Sequence, residues 1–170
     1  MGGILQDHEF LAQLINRFMK DVIETFSISN RINLYLLDAI NESWLNDSAA
    51  SRGRNVGEQF AHIHNVRLMW LKAAAPDLLT GLNKIEKENG INKKQLIKEL
   101  TASAKAIEKL LEKAFAENKI KGFKPHPSAF VGYLVSHESH HRGQIMLCLK
   151  ENKHLTDKSL GFGMWEWGSR

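Results

Sequence analysis

The sequence predicts an all-α protein in which four amphipathic helices pack as a four-helix bundle. Apolar residues recur at three- and four-residue steps in four separate stretches, and no segment shows sustained two-residue alternation. Gly and Pro are sparse and separate these stretches. With 170 residues, 43% of them hydrophobic and 25% charged, the chain can form one domain with its own core. We therefore expect a single domain over residues 1–170.

The first predicted helix lies between Gly3 and Gly53, an interval that contains no other Gly and no Pro. Its apolar residues follow helical spacing, either in one helix or in two helices that meet at SISN (27–30). These residues are Leu11, Leu14, Ile15, Phe18, Val22, Phe26, Ile32, Leu36 and Ile40. Met19 offers an alternative translation start, in which case residues 1–18 are an N-terminal extension.

Capping patterns mark the starts of the second and third helices. Asn55 is followed three residues later by Glu58, as in a capping box, and Pro76 ends the helix that begins there. Asn92 and Gln95 repeat the pattern before a second regular apolar stripe. We expect this third helix to end near ENKIKG (117–122).

A fourth helix is predicted from Pro127, which suits a first helical turn, to about Asn152. The remaining tail, GFGMWEWGSR (161–170), is too short for a domain of its own. We expect the tail to pack on the bundle, with Trp165 and Trp167 covering an exposed end of the core.

Composition limits the compartment and the partners. No stretch approaches the about 18 apolar residues that a membrane span needs, and no secretory signal opens the sequence. The single cysteine, Cys148, suits a reducing compartment, so we predict a cytoplasmic protein. The formal net charge is +4, but lysines alternate with acids, as in NKIEKENGINKK (83–94). We therefore expect neither a nucleic acid nor a membrane as partner.

Two histidines interrupt the apolar stripe of the fourth helix. His137 and His141 are four residues apart and share a face with Phe130, Leu134 and Ile145. Adjacent imidazoles in a core need partners for their ring nitrogens, and one shared metal ion satisfies a nitrogen of each. The pair therefore predicts a divalent metal site, and nitrogen ligands suit zinc, nickel or iron.

A third ligand has to come from another helix. The second helix carries His62 and His64 on opposite shoulders of its apolar face, and periodicity alone does not choose between them. The other four histidines lie off the stripe or near loops, and we expect them to be solvated: His8, His126, His140 and His154.

Other residues of the fourth helix lie near the histidine pair, and each has an expected role. Gln144 lies on the inward side, where it either bonds a ligand histidine or substrate or serves helix packing. Glu138 is expected behind the ligands or on the surface, and Arg142 at the surface or an interface. Cys148 is expected to be a core side chain.

Two known kinds of metal site share parts of this pattern. HESHH (137–141) spells the H-E-x-x-H of zinc peptidases, but no strand is predicted to bind a peptide and Gln144 replaces the Gly of the extended motif. Di-iron bundles need Glu-x-x-His on two helices, whereas ESHH (138–141) and ENKH (151–154) lie on or beside one helix. The sequence disfavours both classes.

The stretches VGEQFAH (56–62) and HESHHRGQ (137–144) together resemble the DinB/YfiT-like superfamily of metal-binding four-helix bundles, over roughly residues 20–150. The resemblance implies an up-down-down-up or similar helix order. It also implies a divalent metal held by one histidine of the second helix and two of the fourth. Carried over to this sequence, the ligands are His62, His137 and His141.

Relatives in that superfamily include thiol-dependent S-transferases and an isomerase that uses a low-molecular-weight thiol. The resemblance therefore implies a metal-dependent enzyme of the transferase or hydrolase type, acting on a small thiol and an electrophilic substrate. The alternative is a non-catalytic metal-binding or interaction protein on the same fold. A homodimer suits the superfamily, and a ridge of small residues on the far side of the fourth helix favours it: Gly132, Ser136, Ser139 and Gly143.

Overall fold

A computed structural model describes residues 2–154 and 158–170, without the side chains of residues 2–7 and 89. Four long helices account for most of the chain: α1 (Gly2–Ala39), α2 (Val56–Ala74), α3 (Lys93–Glu117) and α4 (Pro127–Glu151). Short 3₁₀ turns lie in the connections at Glu42–Asn46, Pro76–Leu79 and Lys87–Asn89. The tail contains α5 (Ser159–Gly163) and the turn Trp167–Ser169. The described residues form no β-strand, so the all-α prediction is confirmed.

The predicted helix starts are correct because the caps form as expected. Asn55 accepts a 2.8 Å hydrogen bond from the Glu58 amide, and the Glu58 carboxylate accepts one of 3.0 Å from the Asn55 amide. Asn92 accepts a 2.9 Å bond from the Gln95 amide. α4 has a cap that was not predicted, since the His126 ring accepts a 3.2 Å hydrogen bond from the Ala129 amide.

α1 runs without a break through SISN (27–30), which settles the choice between one helix and two. The serines of this segment bond to other helices instead of interrupting their own. Ser27 donates a 2.6 Å hydrogen bond to the Glu108 carboxylate, and Ser29 accepts one of 3.2 Å from Arg142. Because these polar groups have tertiary partners, they do not compete with the helix backbone.

The long helices pack in a consistent order, with α1 and α2 each against both α3 and α4. Their buried apolar residues form two clusters. The first joins the C-terminal part of α1 to the starts of α2 and α3 and the end of α4, and includes Leu36, Phe60 and Ile145. The second joins the middle of α1 to the ends of α2 and α3 and the start of α4, and includes Phe26 and Phe130.

A buried polar layer separates the two clusters. Its members come from all four long helices: Ser29, Asn33, Arg67, Ser103, Glu138 and Arg142. The prediction that Arg142 lies at the surface or an interface is therefore wrong, since the residue is 7% exposed. α1 covers that face of α4, and Asn33 accepts a 2.7 Å hydrogen bond from the Arg142 guanidinium. A buried charge of this kind is tolerated only when it is paired and hydrogen-bonded.

The tail folds back on α1, but Trp165, one of the two tryptophans expected to cover the core, does not take part. The Arg170 guanidinium lies 3.7 Å from the centre of the Tyr35 ring and donates a 2.8 Å bond to the Gly163 carbonyl. Gly163 approaches Tyr35 so closely that any side chain there would clash. Trp165 is turned outwards and 80% exposed, so its predicted role as a cover is wrong, whereas Trp167 is half-buried.

The N-terminal part of α1 presents an apolar face that no described residue covers. Its members are more than half exposed: Phe10, Leu11, Leu14, Ile15 and Phe18. They follow helical spacing, as predicted, but the stripe meets the core only from residue 22 onwards. None of the described helices combines the length and apolarity needed to cross a membrane.

Candidate metal centre

Three histidines from two helices converge where the polar layer meets the surface. His62 lies in the second turn of α2, and His137 and His141 lie in the middle of α4. Each offers one ring nitrogen, and these nitrogens all lie within 4.8 Å of one another. The ring centres are 4.5–5.4 Å apart. These are the three side chains that the resemblance implied.

His64, the alternative on α2, faces a different part of the molecule. It is fully buried, and its two ring nitrogens lie 2.9 Å from the Asn83 carbonyl and 3.1 Å from the Glu99 carbonyl. Both nitrogens thus face backbone oxygens of α3 and the loop before it, and the single N–H of the neutral ring donates to one of them. The two histidines are separated on the helix, so only His62 reaches the fourth-helix pair.

Gln59 supports the cluster from α2, one turn before His62. The His141 Nδ1–H donates a 2.6 Å hydrogen bond to the Gln59 side-chain oxygen, which can only accept. Gln144, which the sequence suggested for this role, is half-exposed and makes no hydrogen bond to a described residue. The i, i+3 spacing of Gln59 and His62 on one helical face is the signal that would have identified the correct amide.

The hydrogen bond from Gln59 fixes which nitrogen of His141 is free. With its proton on Nδ1, the ring directs the Nε2 lone pair at His137, whose Nε2 is 3.1 Å away. Two tetrahedral zinc ligands at about 2.0–2.1 Å from the ion lie about 3.4 Å apart, close to this separation. The His62 nitrogen has to move closer to the other two, which a half-buried ring allows. The donor set therefore fits a divalent cation that accepts neutral imidazoles.

The environment keeps the three rings neutral. Burial, reinforced by Arg54 and His137, lowers the pKa of His62 to about 4. Burial and the neighbouring His137 and His62 lower the pKa of His141 to about 3. The pKa of His137 is also lowered, mainly by burial, although Glu138 opposes this effect. Neutral imidazole is the form that binds a metal, so no proton has to be displaced near pH 7.

Glu138, the glutamate of the H-E-x-x-H pattern, is turned away from the histidine nitrogens. One carboxylate oxygen accepts a 2.8 Å bond from Arg67 Nε and the other a 2.7 Å bond from the Asn33 amide. It is 1% exposed, so it belongs to the polar layer and not to the surface. A peptidase glutamate has to reach the water it activates, and Glu138 does not face the site.

The cluster lies between an aromatic wall and an open cavity. On one side, the Tyr133 ring stacks on His137 at 6.0 Å and contacts Trp70 and Phe123. On the other side, His62 lines a cavity of about 560 Å³ whose other walls come from the loop before α2 and from residues 84–91. A small molecule can therefore approach the histidines from the His62 side.

The remaining histidines stay outside the cluster. His8 and His140 are exposed, as predicted, and His126 is exposed while it caps α4. His154 differs from the prediction, because it is half-buried, stacks on Trp44 at 4.6 Å and pairs with Asp47. Cys148 is a buried core residue, as expected.

Comparison with protein families gives one match, which covers most of the chain. Residues 16–152 match the model of the DinB family. The matched region contains α2, α3 and α4 with all three converging histidines, and excludes most of the exposed apolar face of α1. Comparison with curated proteins and with solved structures finds no match.

Proposed function

The chain belongs to the DinB family, and on that premise we propose that it binds one divalent metal ion through His62, His137 and His141. The observation that carries the proposal is the convergence of three neutral imidazoles from two helices, with nitrogens within 4.8 Å. Zinc or nickel suits three such donors best, and iron is also compatible.

We further propose that the site is catalytic, in a transferase or hydrolase reaction that uses a small thiol and an electrophilic substrate. Three protein ligands leave coordination positions open, unlike a closed structural zinc site. A bound metal of this kind lowers the pKa of a thiol or of water and polarises carbonyl groups. In this chain, Gln59 orients His141, and the cavity beside His62 gives a substrate access.

Metal analysis tests the first part of the proposal. Protein purified without added metal should contain close to one equivalent of zinc or nickel, and the double variant His137→Ala, His141→Ala should contain almost none. His140→Ala is the matched control, because its exposed ring contacts His141 at 5.1 Å but is not one of the three whose nitrogens converge. Equal metal content in all three proteins would contradict the assignment.

Thiol consumption separates an enzyme from a non-catalytic metal-binding protein. Metal-loaded protein is incubated with small thiols and electrophilic acceptors, and free thiol is followed over time. We expect faster loss of thiol with the metal-loaded protein than with the metal-free protein. Equal rates for the two forms would favour the alternative, in which the metal serves binding or stability on the same fold.

We also propose that the protein is a cytoplasmic homodimer with the up-down-down-up helix order implied by the resemblance. Two features support self-association: the exposed apolar face of residues 10–18, and the small-residue ridge of α4. Among the described residues, no atom outside the adjacent helix backbone lies within 4 Å of a Cβ atom added at Gly132 or Gly143. Sedimentation at micromolar concentration should give a dimer, and Ile15→Lys should weaken it if the α1 face is the interface.

A further inference from the structure

Arg54 is a cation at the mouth of the site that no described carboxylate neutralises. Its side chain lines the same cavity as His62, is exposed, and makes no ion pair with a described residue. Of the five other charged groups in this cavity, Lys84 pairs with Glu86 at 2.8 Å, and the Glu58 carboxylate caps α2. Lys87 and Glu88 make no ion pair with a described residue, but they lie in the loop before α3, whereas Arg54 directly precedes the cap of α2. Arg54 is therefore available to a ligand.

The position of Arg54 is tied to the histidine cluster through Gln59. The Gln59 side-chain amide donates a 3.4 Å hydrogen bond to the Arg54 carbonyl, while its oxygen accepts the bond from His141. The next residue, Asn55, is fixed as the cap of α2. One buried amide thus links the backbone that carries the cation to a ring of the cluster.

Arg54 and His62 line the same cavity, and Gln59 joins the Arg54 carbonyl to the His141 ring. A ligand that enters the cavity and reaches His62 therefore has this guanidinium as a neighbour. Arginine is also the side chain best suited to bind a carboxylate through two parallel hydrogen bonds.

We propose that Arg54 determines substrate specificity by binding an anionic group, a carboxylate in the simplest case, on the small molecule that enters the site through the His62 cavity. The inference rests on the proposed function, because it concerns the ligand of the same site. It narrows the substrate class to thiols or acceptors that carry a negative charge a few bonds from the reacting atom. An uncharged analogue of equal length leaves the guanidinium without a partner.

Cobalt-substituted protein provides a readout that does not depend on turnover. Thiolate binding to Co²⁺ gives a charge-transfer absorption band, which is titrated with 3-mercaptopropanoate and with 3-mercapto-1-propanol. These thiols have the same chain length and differ in the terminal carboxylate. We expect the wild-type protein to prefer the carboxylate, and Arg54→Gln to reduce the ratio of the two dissociation constants by roughly three- to tenfold.

Two further variants show whether the effect belongs to Arg54. Arg54→Lys retains the charge and should keep part of the preference. Lys87→Gln removes a positive charge from the same cavity and should leave the ratio unchanged. An unchanged ratio in Arg54→Gln, or an equal loss in Lys87→Gln, would overturn the inference while the metal site stands. If neither thiol produces the band in wild-type protein, the proposed function fails and this inference fails with it.

Discussion

The Arg67 guanidinium donates a 2.8 Å hydrogen bond to the Glu138 carboxylate, and the two side chains are each 1% exposed. Arg67 also donates to the Leu100 carbonyl at 2.9 Å, so the pair joins α2, α3 and α4. Glu138 directly follows His137 in the chain. The ion pair therefore fixes the orientation of α4 at the point where the helix presents His137 to the cavity side.

Removing the Glu138 carboxylate alone should lower the free energy of unfolding far more than removing both charges of the Arg67–Glu138 pair. Glu138→Gln leaves the Arg67 charge buried without compensation, which costs about 3–5 kcal/mol of unfolding free energy. Urea denaturation of Glu138→Gln, Arg67→Met and the double variant measures this effect. We expect the double variant to lose much less unfolding free energy than the sum of the losses in the two single variants.

The exposed pair of Asp77 and Lys113 is the control, because Asp77→Asn should leave the urea midpoint nearly unchanged. Additive losses would show that the buried pair is not coupled.

Gln59 should control metal affinity without holding the fold together. Gln59→Leu removes the acceptor of the His141 Nδ1–H, so the ring loses its preferred tautomer and orientation. Loss of such a supporting bond typically reduces metal affinity about 10–100-fold. Competition with a chromophoric chelator measures the change. Gln144→Leu is the matched control, since Gln144 bonds no described residue, and it should bind metal like wild type. If Gln144→Leu weakened metal binding more than Gln59→Leu did, Gln144 would have the supporting role that the sequence suggested.

The metal-free protein should lose stability when the pH falls below about 6.5. In the unfolded chain, histidines take up protons near their ordinary pKa of about 6.5. In the folded chain, the pKa of His62 is about 4 and that of His141 about 3. Between about pH 6.5 and the folded-state pKa values, the unfolded state therefore binds more protons than the folded state, and acid favours unfolding over that range. The contribution of these two histidines to stability is complete above about pH 6.5.

Chelator-treated protein tests this pH dependence through its urea midpoint at pH 7.0 and pH 5.0. We expect a clear drop for wild type and a smaller drop for the variant His62→Asn, His141→Asn, which lacks these two histidines. Added zinc should reduce the loss of stability just below about pH 6.5 but not at lower pH, because protons compete with the metal for the same nitrogens. A drop of equal size in both proteins would assign the acid sensitivity to carboxylates elsewhere.

Local signals predicted the helices well because the relevant interactions are local. The Asn55–Glu58 capping box and the stop at Pro76 depend on residues a few positions apart, and both form as expected. The spacing of His137 and His141 also places both rings on one face by helix geometry alone. Such features are fixed before any two helices meet.

Features that depend on packing between helices could not be read from the sequence in the same way. Arg142 is buried because α1 supplies Ser29 and Asn33 as partners, and no local pattern reports that contact. The tail packs on Tyr35 through Gly163 and Arg170, while Trp165 is exposed, and no local pattern distinguishes these residues. The choice between His62 and His64 likewise needed the resemblance, since both lie at the edge of the same apolar face.

The two α2 histidines should separate metal binding from stability. His62→Ala removes a half-exposed ring with no hydrogen bond to a described residue, so metal content should fall while the urea midpoint of the metal-free protein stays close to wild type. His64→Ala removes a fully buried ring that faces the Asn83 and Glu99 carbonyls, which leaves a cavity and removes the hydrogen bond that the ring N–H donates to one of them. We expect it to cost about 2–4 kcal/mol while metal content stays near one equivalent. Metal analysis and urea denaturation of both variants decide the assignment, and metal loss in His64→Ala alone would reverse it.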